Sequence, residues 1–66
     1  MFRKIKQARI SKGISQEKLA ELSGISRATI VGLENGRITN SKTDTLRSIA
    51  KALDMTMDEL FFGEGD

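Results

Sequence analysis

The chain has 66 residues and contains neither cysteine nor histidine. Without them it forms no disulfide and no thiolate or imidazole metal site, and it lacks the side chains most often used as nucleophile and general base. No other group of residues suggests catalysis, and no small-molecule site is evident. We therefore expect a protein that is not an enzyme, with no catalytic residues, no bound metal and no cofactor.

The sequence also lacks a long apolar run. A membrane-spanning helix needs roughly 20 apolar residues, and the basic N-terminus is not followed by the apolar block of a signal peptide. We expect no membrane association and a cytoplasmic location. A chain of this length buries only about 60% of its unfolded surface, so we expect one small domain over residues 1–66, stable by a few kcal/mol.

The formal net charge is only +2, but the charges are unevenly distributed along the chain. Residues 1–12 hold five basic residues and no acidic one, whereas residues 55–66 hold four acidic residues and no basic one. A basic end facing an anionic polymer and an acidic end facing away is the distribution that DNA binding favours. Taken alone, without a helix-turn-helix, the same distribution is better explained as the solvated surface of an ordinary small protein.

Two short helical patterns, residues 16–22 and 26–35, are separated by only three residues. So tight a junction forces the second helix across the first, which predicts a helix-turn-helix unit over residues 16–35. Gly24, in the junction, is expected to adopt a positive φ, and Ser26 is expected to cap the second helix. The apolar residues predicted to lie inside this crossed pair are Leu19, Leu22, Ile25, Ile30 and Leu33.

The segment before this unit is also predicted to be helical. The helix is expected over residues 2–12 and stops at Gly13, and Ser15 is positioned to cap the helix that follows. The apolar side chains that the spacing directs inward are Phe2, Ile5, Ala8 and Ile10.

Two more helices are predicted after the unit. Ser41 and Asp44 have the spacing of a capping box for a helix over residues 42–53. A second capping box predicts a short closing helix over residues 57–61, and its two members are Thr56 and Glu59.

Three segments of the sequence resemble the lambda-type phage repressor and Cro-like (XRE) helix-turn-helix domains: ISQEKLAELSGIS, TIVGLENGR and LRSIAKALDMTMDELF. The resemblance extends from Ile5 to Phe61 and implies an all-α, compact five-helix domain that binds double-stranded DNA and regulates transcription. Two features depart from the family. Gly32 stands where the family often has a longer polar residue, and the loop over residues 36–41 lacks a common proline and is one residue longer.

The resemblance also assigns roles to individual residues. It implies that Arg9 and Glu34, the glutamate of the LENG segment, form a partly buried structural ion pair; the alternative is that Arg9 contacts phosphate. It implies that Gln16, at the start of its helix, holds a DNA phosphate; the alternative is a solvated polar residue in a first helical turn.

The helix over residues 26–35 is the predicted recognition helix, with its first turn reaching base edges in the major groove. Arg27 is expected to hold either guanine or phosphate, and these alternatives remain open. Gly32, expected on the exposed face, either permits close backbone approach to DNA or is an unselected surface position. We expect Arg37, Asn40, Ser41 and Lys42 to hold phosphates. The predicted DNA-binding residues are Gln16, Ser26, Arg27, Ala28, Thr29, Gly32, Asn35, Arg37, Asn40 and Lys42.

The end of the chain predicts a dimer. In the region of residues 55–62, Leu60 and one phenylalanine are expected to complete the core, which leaves an apolar patch that a small monomer need not expose. The resemblance implies that this region forms a twofold dimer. The alternative is that both phenylalanines are core. The predicted interface residues are Met57, Phe61 and Phe62. The function that follows is a homodimeric, sequence-specific repressor at a palindromic operator; the alternative is an antitoxin or restriction-modification controller whose main partner is another protein.

Overall fold

A computed structural model describes residues 2–61, and these residues form five helices and no strand. The all-α, five-helix prediction is therefore confirmed. Over this part of the chain no helix has the length and apolar character that crossing a membrane requires. The helices are α1 (Arg3–Ser11), α2 (Gln16–Ser23), α3 (Arg27–Glu34), α4 (Thr43–Ala52) and α5 (Met57–Phe61).

A single core joins the five helices, because each of them contributes at least one buried apolar side chain. Each large side chain in this core stabilises the fold by about 1.5–3 kcal/mol relative to an exposed position. Since α2 and α3 both insert into it, the core fixes how they cross. The buried residues are Ile5, Leu19, Ile30, Leu33, Ile49, Ala50, Leu53 and Leu60.

The helix-turn-helix unit begins and turns as its sequence predicts. The hydroxyl of Ser15 accepts a hydrogen bond from the backbone N–H of Lys18 at the start of α2. Gly24 ends α2 with φ of 74°, and its N–H donates to the carbonyl of Ala20. The predicted positive φ is confirmed, and glycine supplies it at the least steric cost. The short turn then leads directly to Ser26 and α3.

Capping also explains the start of α5. The Thr56 hydroxyl accepts from the N–H of Glu59 at 3.0 Å, and the Glu59 carboxylate accepts from the N–H of Thr56 at 2.9 Å. The predicted capping box is confirmed. It satisfies two backbone donors that would otherwise lack a partner within this five-residue helix.

The predicted capping box at α4 is wrong. The helix begins at Thr43, with Lys42 at the cap position and no side-chain hydrogen bond there. Ser41 therefore lies one residue too early to cap, and Asp44 lies in the second helical position instead of the third. Asp44 still places a negative charge in the first turn, where the helix dipole favours it.

Two apolar residues predicted to face inward are exposed. Leu22, on α2, is 51% exposed, and Ile10, on α1, is 59% exposed. At about 100° per residue, Ile10 lies about 140° around the helix from the buried Ile5, so it faces solvent. Leu22 lies at the edge of its apolar face, beside a groove that α4 lines with small or polar residues: Ser48, Lys51 and Ala52.

The ends of α1 and α4 are joined by an ion pair that the sequence did not predict. The Lys12 ammonium lies 2.7 Å from the carboxylate of Asp54. Asp54 has a positive φ of 57° and follows α4, where its N–H donates to Lys51 and the N–H of Met55 donates to Ala50. This left-handed C-terminal turn directs the chain towards α5.

Candidate nucleic-acid interface

The helix α3 has one face in the core and one face uncovered. Ile30 and Leu33 are buried, whereas Arg27, Ala28 and Asn35 are exposed. Arg27 is the first residue of the helix, so its side chain projects from the first turn. The uncovered face therefore presents one cation, the Arg27 guanidinium, at the N-terminal end of α3.

Hydrogen bonds organise the two hydroxyl groups in this first turn. The Ser26 hydroxyl accepts from the N–H of Thr29 at 3.2 Å and donates to the Thr29 hydroxyl at 2.9 Å. The predicted N-cap is confirmed. Because the Thr29 hydroxyl is an acceptor in this pair, its own hydrogen remains for an outside acceptor. Ser26 is exposed and Thr29 is half-buried.

A polar network fixes α3 against the first two helices. The Nε and Nη2 atoms of Arg9 donate to the two carboxylate oxygens of Glu34, at 2.8 and 3.2 Å, and Nη1 donates to the carbonyl of Ile14 at 2.9 Å. The side chains are only 11% and 3% exposed, respectively. With all three nitrogens engaged inside the protein, this geometry favours a structural role for Arg9 over a phosphate contact.

Gln16, at the start of α2, belongs to the same network. Its Nε2 donates to the Glu34 carboxylate at 3.0 Å, and the side chain is half-buried. An amide nitrogen carries two hydrogens, so one N–H of Gln16 remains for another acceptor. Glu34 thus orients the amide, and the phosphate contact expected of Gln16 remains a prediction.

The prediction that Gly32 lies on the exposed face is wrong. Gly32 is buried because Ile38, from the loop after α3, folds back over it. A Cβ atom added at Gly32 would lie 2.5 Å from Cδ1 and 2.8 Å from Cγ1 of Ile38, and the Ile38 N–H donates to the Gly32 carbonyl at 2.9 Å. The glycine permits this close packing and does not offer an open backbone surface.

The loop after α3 brings further polar side chains beside the helix. The Asn35 side-chain oxygen accepts from the N–H of Arg37 at 2.9 Å, so only its amide hydrogens remain for an outside acceptor. Arg37, Asn40 and Lys42 are exposed, and Ser41 is half-buried. Of the loop cations, Arg37 lies against α3, with its Nη2 atom 3.5 Å from the site of a Cβ on Gly32. The DNA contacts expected of these residues remain predictions.

Sequence reasoning did not identify Ile38 as a determinant of this surface. The available signal was an isolated apolar residue within the polar loop GRITNS. Such a residue often packs back onto the body of a domain, but the partner that it covers is visible only in three dimensions.

The predicted dimer region is partly described. Met57 and Phe61 are half-buried, and the Phe61 ring packs edge-to-face against Phe2 with centroids 5.6 Å apart. Phe62 lies outside the described residues. The Phe2 contact ties α5 to the start of the chain.

Comparisons with known proteins agree with this architecture. A helix-turn-helix family model matches residues 5–60. YgzD of Bacillus subtilis (strain 168), an uncharacterized HTH-type transcriptional regulator, is 39% identical over 64 residues, which are 97% of this chain and 96% of YgzD. The HTH-type transcriptional activator BcrR of Enterococcus faecalis is 38% identical over 61 residues, which are 92% of this chain but only 29% of BcrR.

A solved structure shares the fold. The SinR chain from a SinR protein/SinI protein complex superposes with a TM-score of 0.92 at 29% identity, over 98% of this chain and 64% of SinR. The matched segment includes the helix-turn-helix unit and the helices that support it. The chain belongs to the XRE family of helix-turn-helix DNA-binding transcriptional regulators, which is not a family of enzymes.

Proposed function

We propose that this protein is a sequence-specific repressor that binds a palindromic operator as a homodimer. The observation that carries the proposal is the uncovered first turn of α3, where Arg27 projects from a helix anchored on the core. An α-helix fits the major groove, and residues of its first turn reach base edges there.

Base reading is assigned to the first turn of α3. The Arg27 guanidinium can donate to both major-groove acceptors of guanine, and the methyl groups of Ala28 and Thr29 can pack against a thymine methyl. The Ser26 hydroxyl holds Thr29 in place. Because this face has few long polar groups, part of the specificity is expected to come from the shape of the DNA.

Phosphate contacts are assigned to residues that flank α3. Gln16 lies at the start of α2, where the backbone amides and the helix dipole favour an anion. Asn35, Asn40 and Lys42 are exposed at the end of α3 and along the loop that follows it. Phosphate contacts from these two segments would set the register of α3 in the groove without reading sequence.

The dimer is assigned to the end of the chain, through Met57, Phe61 and Phe62. A twofold interface is self-complementary and places two copies of α3 in related half-sites. For this type of protein, such half-sites lie about 34 Å apart in successive major grooves, so the operator is expected to be palindromic. A dimer bound over a promoter represses by occupying it. The DNA that such a regulator binds lies in the cytoplasm of bacteria such as those of its relatives, so we place the protein there.

Selection from random duplexes tests this proposal directly. Purified protein should enrich one half-site in an inverted repeat, and the mass of the complex should correspond to two chains per duplex. Enrichment of an unrepeated site by a single chain would contradict the dimer. Failure to enrich any site, for a protein with a normal helical spectrum, would contradict sequence-specific binding.

A protein partner is the second candidate. The observation that favours it is that SinR was solved in a complex with another protein, SinI. In that case the chain would act as an antitoxin or a restriction-modification controller, with DNA binding secondary. Stable dimers of this chain alone with operator affinity would argue against it, and a neighbouring gene product that copurifies in fixed stoichiometry would argue for it.

A further inference from the structure

The loop residue Arg37 lies across α3 at the one position where that helix has no side chain of its own. Its Nη2 atom lies 3.5 Å from the site that a Cβ on Gly32 would occupy, which is ordinary van der Waals contact. Ile38, the next residue, packs more closely over the same glycine. The side chains that cover Gly32 therefore come from the loop.

The position of Gly32 on the helix relates this contact to the reading face. Gly32 follows Ala28 by four residues, so the two lie about 40° apart around the helix axis and one turn apart along it. Ala28 is exposed in the first turn, beside Arg27. The Arg37 guanidinium therefore borders the side of the reading face that carries Ala28. It lies about 7.5 Å along the axis from Arg27 and about 140° around it.

Arg37 is also available for an outside partner. Its side chain is exposed, and over residues 2–61 no carboxylate lies in an ion pair with it. Arg47, which is exposed on α4, differs in this respect because it lies 3.4 Å from Asp44. The Arg37 backbone is fixed by the hydrogen bond from its N–H to Asn35, so the base of the side chain is held while its guanidinium extends over Gly32.

We propose that Arg37 is a specificity-determining residue, which reads a guanine in the same half-site as the base pair that Arg27 reads, and that Gly32 and Ile38 position it. The inference rests on the proposed DNA-binding function. The planar guanidinium fork matches the two major-groove acceptors of guanine, whereas an ammonium group provides a single point charge. Packing against Gly32 places the fork beside the helix proposed to enter the groove.

The test compares sequence preference among single variants by selection from random duplexes. Arg37→Ala should lose preference at one base pair in each half-site, on the order of tenfold, and should keep the preference that Arg27 confers. Arg37→Lys should retain charge and salt dependence but lose the same discrimination. Arg47→Ala is the matched control, because it removes an exposed arginine that is paired on α4, and its selected site should equal that of the wild type.

A second variant tests the positioning. In Gly32→Ala the new methyl group must displace Ile38, and the neighbouring Arg37 should move with it. The base pair that loses preference should therefore be the same one as in Arg37→Ala. A thermal melt shows whether the Gly32→Ala protein is folded. If it is folded and selects the wild-type site, Gly32 and Ile38 do not position Arg37. If Arg37→Ala weakens binding to all duplexes equally, and the slope of log affinity against log salt concentration falls by about one, Arg37 contacts a phosphate and the inference is overturned.

These outcomes separate this inference from the function on which it rests. If the wild-type protein selects no sequence at all, the proposed function fails. If the wild-type protein selects a half-site and Arg37→Ala selects the same one, only the role of Arg37 fails.

Discussion

Arg9 on α1 and Glu34 at the end of α3 form a two-point ion pair across 25 residues of sequence, and the amide of Gln16 donates to the same carboxylate. Both charged side chains are almost fully covered. The pair therefore connects α1 to the end of α3, at the point where the loop toward α4 begins.

Removing one partner of this pair should destabilise the protein strongly. Arg9→Ala or Glu34→Ala leaves the other charge buried without compensation, which typically costs about 3–5 kcal/mol. Urea unfolding followed by circular dichroism measures the loss. The control is Arg47→Ala, whose pair with Asp44 is exposed and should contribute under about 1 kcal/mol. Equal effects of Arg9→Ala and Arg47→Ala would show that burial does not govern the strength of the Arg9 pair.

Substitution by alanine should change the free energy of unfolding far more at Leu19 than at Leu22, although both are leucines on α2. Leu19 is fully buried, so Leu19→Ala should cost about 2–5 kcal/mol through lost burial and the resulting cavity. Leu22 is 51% exposed, and Leu22→Ala should change the free energy of unfolding by about 1 kcal/mol or less. Thermal unfolding of the two variants checks this. A loss at Leu22 as large as that at Leu19 would mean that a partner covers the groove beside α4.

The pair of Lys12 and Asp54 makes a specific pH prediction. The hydrogen bond from Lys12, and secondarily its positive charge, lowers the pKa of Asp54 from its ordinary value of 3.8. A carboxyl with a lowered folded-state pKa adds stability above its unfolded pKa, and that stability is lost as pH falls through the folded pKa. The stability contributed by this pair is therefore lost at pH values below 3.8.

NMR titration of the Asp54 carboxyl carbon measures this directly. In Lys12→Ala the pKa of Asp54 should rise towards 3.8. Lys18→Ala removes a lysine that pairs elsewhere, with Glu21, and should leave the Asp54 titration unchanged. An Asp54 titration that is identical in the wild type and in Lys12→Ala would contradict the pair.

Stability and DNA affinity should move in opposite directions at Lys42. This residue occupies the cap position of α4 but makes no side-chain hydrogen bond there. Lys42→Ser supplies a capping hydroxyl and should stabilise the protein by about 0.5–2 kcal/mol in thermal unfolding. It also removes the proposed phosphate contact, so binding should weaken similarly for all duplexes. Ser41→Ala, one residue earlier, should leave the stability of α4 unchanged within about 0.5 kcal/mol.

Local interactions explain which structural features were predictable from the sequence. Caps at Ser15, Ser26 and Thr56 depend on side chains within three residues of the groups that they satisfy, and these predictions are confirmed. The turn at Gly24 is likewise local. The Arg9 and Glu34 pair is not local, and only the resemblance to a family suggested it.

The errors arise where distant parts of the chain decide the outcome. Periodicity places Leu22 near the apolar face, but exposure depends on what α4 presents opposite it. The helix α4 begins at Thr43, one residue later than its sequence pattern predicts. The pattern of α3 predicts an open Gly32, whereas the loop closes over it through Ile38. No pattern within α3 itself contains that information.

The central claim is tested most directly by fluorescence anisotropy, which measures how the protein binds a duplex that carries the selected half-site. The wild-type protein and Arg27→Ala are compared over a series of salt concentrations. The wild-type protein should bind with an affinity that falls steeply as salt rises, and Arg27→Ala should lose about 1–3 kcal/mol of discrimination at one base pair while retaining its weak binding to unrelated duplexes. A folded wild-type protein that binds no duplex even in dilute buffer would contradict the account. An Arg27→Ala protein that weakens equally on every sequence would contradict base reading by α3.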